Sequence, residues 1–244
     1  NYNRTSSTGD AALRATDAGE VDPVLRTLSF WDGDTPVAAL HAFAIHPMSY
    51  YGKGGVSADF PGIARRARNS DMPGVFQIYF SGCSGDVVAG KWNDGNPINR
   101  QILADKVRAG MTAAWEKTER YPIESIAFRV AQLTLEPKSS AGYSEAELKA
   151  QIADKELKQF LRNLAAMGLS WRMRWAKGQA IEVPCVDFGK AKFLLMPAES
   201  FVGYQLMAQK LDADHFVFTA GYGESAPGYI PTAFASSEGF NDAQ

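Results

Sequence analysis

Apolar residues recur along the chain with two different periods. Over 24–31 (VLRTLSFW) and 36–46 (PVAALHAFAIH) they alternate or run together as in half-buried strands, and the turn Asp32-Gly33-Asp34 between them predicts a hairpin. Residues 75–80 (VFQIYF), bounded by Pro73-Gly74 and Ser81-Gly82, predict a third strand. Ile102, Leu103, Val107, Met111, Ala114 and Trp115 then fall near a 3.6-residue repeat, which predicts a helix over 98–118. A strand is expected over 124–135. A second helix is expected over 144–168, opened by a Ser144/Glu147 capping box and striped by Leu148, Ile152, Leu157, Phe160, Leu161 and Leu164. A strand pair is expected at 181–187 and 192–196, a helix at 199–211 and a short buried strand at 215–220. Residues 5–20 are small and polar and read as loop. Strands and helices interleave, so the expected fold is α/β, with mixed β-sheets flanked by helices in one layered domain. The hairpins argue against a purely parallel, doubly wound sheet.

Composition narrows the classes of function. The 244 residues are 45% hydrophobic and 21% charged, as in a globular domain, and the net charge is −2. That balance offers no basic excess to neutralise a phosphate backbone, so nucleic acid is excluded as the expected partner. No apolar run approaches the roughly 20 residues of a membrane span. Two cysteines, Cys83 and Cys185, are too few for a disulfide scaffold or a Cys-rich zinc site; one disulfide or two buried thiols are both compatible with the sequence. The chain opens at Asn1-Tyr2-Asn3-Arg4 with no initiator Met and no apolar leader, which reads as a processed chain or an excerpt of a longer protein.

Three stretches carry candidate chemistry. His41 and His46 lie five apart on a strand, so they face opposite sides and at most one serves a given site. His46 ends its apolar run and enters the loop 47–52, where ligands and catalytic groups commonly emerge; its plain reading is a polar strand cap. His215 reads as structural. The small-residue stretch 80–95 holds two nucleophile candidates, Cys83 and Ser84, but neither G-x-S-x-G nor a phosphate-binding P-loop. Glu199 follows Met196-Pro197-Ala198 and is expected in the first turn of a helix, where the dipole favours a carboxylate. Residues 221–229 form a Gly-rich, aromatic loop with Tyr222 and Tyr229.

Taken in order, these motifs resemble the catalytic domain of the neutral/alkaline, non-lysosomal ceramidase family. Asn3-Arg4 resembles the family's N-R, Phe43-Ala44-Ile45-His46 its F-A-V-H, and Val56-Ser57-Ala58-Asp59 its S-G-D segment. Gly85-Asp86-Val87 resembles the start of its G-D-V-S-P-N, Pro197-Ala198-Glu199 its P-G-E, and Gly228-Tyr229-Ile230 its tyrosine-bearing turn. The resemblance implies a zinc cofactor held by His46, Glu199 and Tyr229, with Arg4 and Asp86 as catalytic residues, Arg4 stabilising oxyanion charge. It implies zinc-dependent hydrolysis of the amide of an N-acyl, sphingolipid-type substrate, a small-molecule or lipid partner, peripheral membrane contact and an extracytoplasmic location.

The sequence departs from the family pattern at two places. The H-x-H-type motif that supplies the first zinc histidine would precede Asn1, and the immunoglobulin-like C-terminal domain would follow Gln244. Val88 stands where the family has its catalytic serine. Zinc-activated water is then the implied nucleophile. The alternative is a ceramidase-like binding or structural domain without catalysis, and thiol chemistry at Cys83 is a third.

Overall fold

In the computed structural model, which describes residues 4–53, 55–224 and 228–237, the polar N-terminal stretch is not all loop. Asp10 caps a short helix, α1 (Ala11–Ala15), its carboxylate accepting from the N–H groups of Ala12 and Leu13 at 2.8 and 3.2 Å. The expected hairpin follows as β1 (Arg26–Asp32) and β2 (Thr35–Phe43), antiparallel, with Gly33 taking the positive φ of 55° that the tight turn requires. Then comes a helix with no counterpart in the apolar pattern, α2 (Asp59–Asp71). Its buried face is built from Phe60, Ala64 and Arg68 among small and charged neighbours, so no apolar stripe announces it. It carries the chain over to β3 (Phe76–Ser81), which pairs parallel to β2. After α3 (Asn99–Glu116), close to the expected span, comes β4 (Ala127–Leu133).

The expected helix over 144–168 divides in two, α4 (Glu145–Ala153) and α5 (Gln159–Ala176). The capping box at Ser144 forms as read. The break is at Asp154, whose N–H still closes α4 on the Ala150 carbonyl at 3.0 Å while its carboxylate takes the Glu156 N–H at 2.9 Å and turns the chain. The strand pair appears as β5 (Ile181–Asp187) and β6 (Ala191–Leu195). A second correction concerns 199–211. Glu199 does not begin a helix; it lies in a two-residue strand, β7 (Glu199–Ser200), and α6 (Val202–Leu211) starts after it. The remaining elements are β8 (Phe216–Ala220), β9 (Tyr229–Ile230) and α7 (Ala233–Ser237).

The strands form a mixed sheet β1-β2-β3, a mixed sheet β4-β5-β6-β8 and a parallel pair β7-β9, with helices packed around them, so the α/β expectation holds. β8 runs beside β1 and β2, and Leu28, Ala42 and Phe218 bury the junction of the two larger sheets. Phe80, Phe193 and Phe218 close it with ring centroids 5.2–6.0 Å apart. Phe218, the fully buried member of the three, contributes roughly 1.5–3 kcal/mol by removal from water. Cys83 and Cys185 are both free thiols.

The functional consequence of this topology lies at the strand ends. β2 and β3 are parallel, and so are β6 and β8. Backbone bonds from Gly82 to Phe43 (2.9 Å), Gly221 to Ser81 (2.8 Å) and Met196 to Ala220 (2.8 Å) stitch all four carboxyl ends together. The loops that leave these ends therefore share one place, the position at which open α/β sheets gather ligands.

Candidate metal centre

His46 leaves the end of β2 and is held by the loop that leaves β3. Its N–H donates to the Val87 carbonyl at 2.9 Å, and its ring Nδ1 lies 3.3 Å from the same oxygen. The β3 loop is pressed equally hard against the segment after β6. Gly85 donates its N–H to the Ser200 carbonyl at 3.1 Å, and a Cβ on Gly85 would stand 2.2 Å from the Glu199 carbonyl oxygen. Glycine is required there by close approach of two backbones.

Glu199 meets His46 across 153 positions of sequence, Oε2 lying 2.8 Å from Nε2. β7 exists because Glu199 and Ser200 pair in parallel with Tyr229 and Ile230; the Glu199 N–H donates to the Gly228 carbonyl at 3.0 Å. That pairing sets Tyr229 beside Glu199, and the Tyr229 hydroxyl hydrogen-bonds the carboxylate. The Tyr229 ring stacks on His46 at 6.3 Å between centroids. Burial by itself would raise the Glu199 pKa; the hydrogen bonds from His46 and Tyr229 and the charge of His46 outweigh it and hold the carboxyl below its ordinary value. Sequence reasoning thus named three residues that the fold brings together.

The tautomer of His46 decides what this cluster can hold. Both ring nitrogens face oxygens that only accept, Nδ1 the Val87 carbonyl at 3.3 Å and Nε2 the Glu199 carboxylate at 2.8 Å, so a ring that binds a metal through Nε2 carries its one proton on Nδ1. On a neutral ring Nε2 is then a bare lone pair facing a carboxylate oxygen, and two acceptors at 2.8 Å require a proton or a cation between them. The N,O,O donor set of His46, Glu199 and Tyr229 is one that zinc accepts, and the Nδ1–carbonyl bond is the usual support of a metal-binding histidine. Among the described residues no cluster of three or more His, Cys, Asp or Glu side chains is placed to bind a metal, and the third oxygen beside His46 and Glu199 is the Tyr229 hydroxyl.

The other expected site residues lie differently. Asp86 is in the β3 loop, but its carboxylate accepts the Val202 N–H at 2.8 Å and so ties that loop to the start of α6. Desolvation raises its pKa, Glu20 adding to the rise and nearby His46 opposing it. Arg4 is engaged elsewhere: its guanidinium donates to the carbonyls of Leu13, Thr16 and Asp17 at 3.2, 2.9 and 2.5 Å and to the Thr16 hydroxyl at 2.6 Å, which fastens the N-terminal segment behind α1. His41 is turned inward between Thr27 and Gln77, and His215 pairs with Asp212, three residues before it. Asp59 has a positive φ of 47° and joins the His46 loop to α2 through Ser49 and the Tyr50 N–H.

The structure adds two groups that sequence reasoning did not assemble. Tyr222, on the loop after β8, sets its ring edge-on to His46 at 5.9 Å, and its hydroxyl lies 3.1 Å from that of buried Ser84. Burial, with the charge of Glu199 adding to it, pushes the Tyr222 phenol up to about 12, so it stays a neutral donor. The flanking Gly221 and Gly223 were the available signal. Cys83 is pushed up to about 12 by burial, and a thiol held in that state is a poor nucleophile.

No protein-family profile matches the chain, and no curated protein does. Solved structures do. The chain superposes on neutral ceramidase from Pseudomonas aeruginosa with a TM-score of 0.58 at 16% identity, over 91% of this chain and 43% of that one. It superposes on a ceramidase complexed with C2 with a TM-score of 0.59 at 15% identity, over 91% of this chain and 45% of that one. The chain spans less than half the length of these ceramidases, and at this identity what it shares with them is their fold.

Proposed function

We propose that this chain carries the metal centre of a zinc-dependent hydrolase that cleaves the amide bond of an N-acyl substrate of sphingolipid type. The observation that supports this reading is the His46–Glu199 contact of 2.8 Å, completed by Tyr229, at the shared carboxyl ends of four strands in a ceramidase-like fold. His46, Glu199 and Tyr229 would hold the ion. Zinc supplies, when bound, a Lewis acid that polarises a carbonyl and acidifies water. Val87 supports the Nδ1-protonated tautomer of His46, the Tyr229 hydroxyl favours the ionised form of Glu199, and Asp86 anchors the β3 loop on α6 so that these atoms stay in register. Arg4 acts in this reading by holding the N-terminal segment in place. An extracytoplasmic location and peripheral contact with a lipid surface suit such a substrate; no helix among the described residues is long and apolar enough to cross a membrane.

The second reading is a ceramidase-like domain without catalysis. Val88 at the family's serine position and a His/Glu set of two members among the described residues favour it. Zinc content and N-acyl amide hydrolysis, measured on the natural polypeptide containing these residues, separate the two. The first reading expects stoichiometric zinc and turnover, both abolished by His46→Ala, with Val88→Ser changing the rate modestly. An inert wild type in which Val88→Ser creates activity establishes the second. A wild type that binds zinc but hydrolyses neither ceramide nor simpler N-acyl amides refutes the first.

A further inference from the structure

Ser84 and Tyr222 form a pair whose protons do not balance. Two hydroxyls carry two protons, and the single hydrogen bond between them, at 3.1 Å, uses one. No other side-chain hydrogen bond to either hydroxyl is formed among the described residues. Ser84 has no exposed surface, so a proton left on it would be a buried, unsatisfied donor, which is costly. With Ser84 as the donor that cost disappears, and the second proton sits on Tyr222, which is 36% exposed and lies against His46.

The backbone is committed to this placement. Tyr222 has a φ of 61°, a left-handed conformation that a bulky residue rarely adopts, and its N–H is held by the Ala198 carbonyl at 3.1 Å. A Cβ on preceding Gly221 would stand 2.7 Å from the Gly82 carbonyl oxygen, so the Tyr222 loop is seated directly on the Ser84 loop. Cleaving an amide builds negative charge on the acyl oxygen, and a fixed donor stabilises it. Arg4 directs its guanidinium at main-chain carbonyls, and Val88 has no donor on its side chain.

We propose that Tyr222 is a substrate-contacting residue whose hydroxyl donates to the acyl oxygen of the bound amide, and that Ser84 is the positioning residue that aims it. This rests on the reading of the site as an N-acyl amide hydrolase. The chemistry recognised is that of a carbonyl oxygen becoming an oxyanion. The pair does not act as a nucleophile, because Ser84 is sealed from substrate.

The test compares zinc-loaded wild type, Tyr222→Phe, Ser84→Ala and the double variant. Zinc stoichiometry, thermal stability, calorimetric affinity for a straight-chain hydroxamate, and kcat and KM for an N-acyl amide are read together. Tyr222→Phe is expected to keep its zinc and its KM and to lose about 100-fold in kcat, the size of one oxyanion donor. Its hydroxamate affinity should fall about 10-fold. Ser84→Ala should lose less, and the double variant should match Tyr222→Phe alone, because Ser84 works only through the phenol. Wild-type kcat and hydroxamate affinity in Tyr222→Phe would overturn the proposal, as would a Ser84→Ala loss that adds in full to that of Tyr222→Phe. A wild type without zinc or hydrolysis refutes the reading of the site itself, a failure visible before any variant is measured.

Discussion

Acid should weaken this fold through His41, and the structure sets the size of the effect. The ring is fully buried on β2, with Nε2 2.8 Å from the Gln77 side-chain oxygen and Nδ1 2.8 Å from the Thr27 hydroxyl. A neutral ring protonated on Nε2 satisfies both, donating to Gln77 and accepting from Thr27. Burial drives its pKa from 6.5 down to about 4; the Gln77 bond opposes this and the charge of Arg68 assists. The unfolded chain takes up the proton first, so the contribution to stability is complete above pH 6.5 and is lost as pH falls from there towards 4. At about 1.4 kcal/mol per pKa unit the whole loss is about 3 kcal/mol, and by pH 5 about 2 kcal/mol has gone. For a domain of this size that lowers Tm by very roughly 4–8 °C between pH 7.5 and 5. The measurement is urea unfolding of wild type and His41→Gln across this range. The amide can keep both contacts but does not titrate, so the variant should be the less stable at pH 7.5 and the gap should narrow by about 2 kcal/mol at pH 5. A gap that stays constant with pH would refute the assignment of His41 as a neutral, buried base.

Two further outcomes follow from packing around the site. Gly85→Ala places a methyl 2.2 Å from the Glu199 carbonyl oxygen and 2.8 Å from the Phe201 ring; it should cost about 1–3 kcal/mol and, on the proposed reading of the site, abolish zinc binding, read by denaturation and metal analysis side by side. Asp22, whose side chain is almost fully buried, accepts from Gln205, Gln209 and Arg26 at 2.7, 3.0 and 2.5 Å; burial raises its pKa, but these donors, with the Val24 N–H, lower it overall. Asp22→Asn should cost about 2 kcal/mol at neutral pH, and that difference should fade as acid takes the pH down through the depressed pKa, as chemical denaturation at pH 3 and pH 7 would show.

What the sequence made legible was what local pattern alone decides. The hairpin was readable because alternation and an Asp-Gly turn agree, and His46 because a polar residue ending a buried run must go somewhere. α2 was missed because its inward face uses Ala64 and an Arg68 whose guanidinium finds Thr112, rather than an apolar stripe. The break at Asp154 was missed because each side of it keeps helical spacing, Leu148 to Ile152 before and Leu157, Phe160, Leu161 and Leu164 after, and the only mark of the slip is the five-residue step from Ile152 to Leu157, where the side chain of Asp154 turns the chain. Glu199 was assigned to a helix because Pro197-Ala198-Glu199 carries good helix-start chemistry. Its actual conformation is set by Tyr229, thirty positions on (229 − 199), and a strand made by such pairing overrides local preference. Of the candidate site, His46, Glu199 and Tyr229 were named through resemblance. Tyr222 was not, because nothing local says that its hydroxyl meets Ser84, 138 positions away.

The same loops carry strain, and the source of the restraint can be traced. Ala198 and Tyr222 are two of the three non-glycine residues with positive φ among the described residues, at 49° and 61°, and they bond to each other, Tyr222 N–H to Ala198 carbonyl. Each such residue costs on the order of 1–3 kcal/mol and persists only where its surroundings enforce it. Here the enforcement runs through Glu224. Its carbonyl accepts the Ala198 N–H at 2.8 Å, and its carboxylate is gripped by both terminal nitrogens of Arg174 at 2.8 Å, which holds its pKa below the ordinary value. Arg174 belongs to α5, outside the ring of loops that leave the parallel strands, and it also donates to the Ala180 carbonyl at 2.5 Å. Arg174→Ala therefore removes a brace rather than a contact with His46, Glu199 or Tyr229. The ion pair is partly exposed, so global stability should fall by only about 1 kcal/mol. The local effect should be larger: with Glu224 released, Ala198 and Tyr222 can relax towards negative φ, taking the Glu199 backbone and the Tyr222 ring with them. Hydrogen exchange should show the amides of Ala198 and Tyr222 losing protection while those of β2 and β3 keep theirs. Unchanged protection at Ala198 and Tyr222 would show that the strain is held by the loops themselves and that α5 has no part in the site.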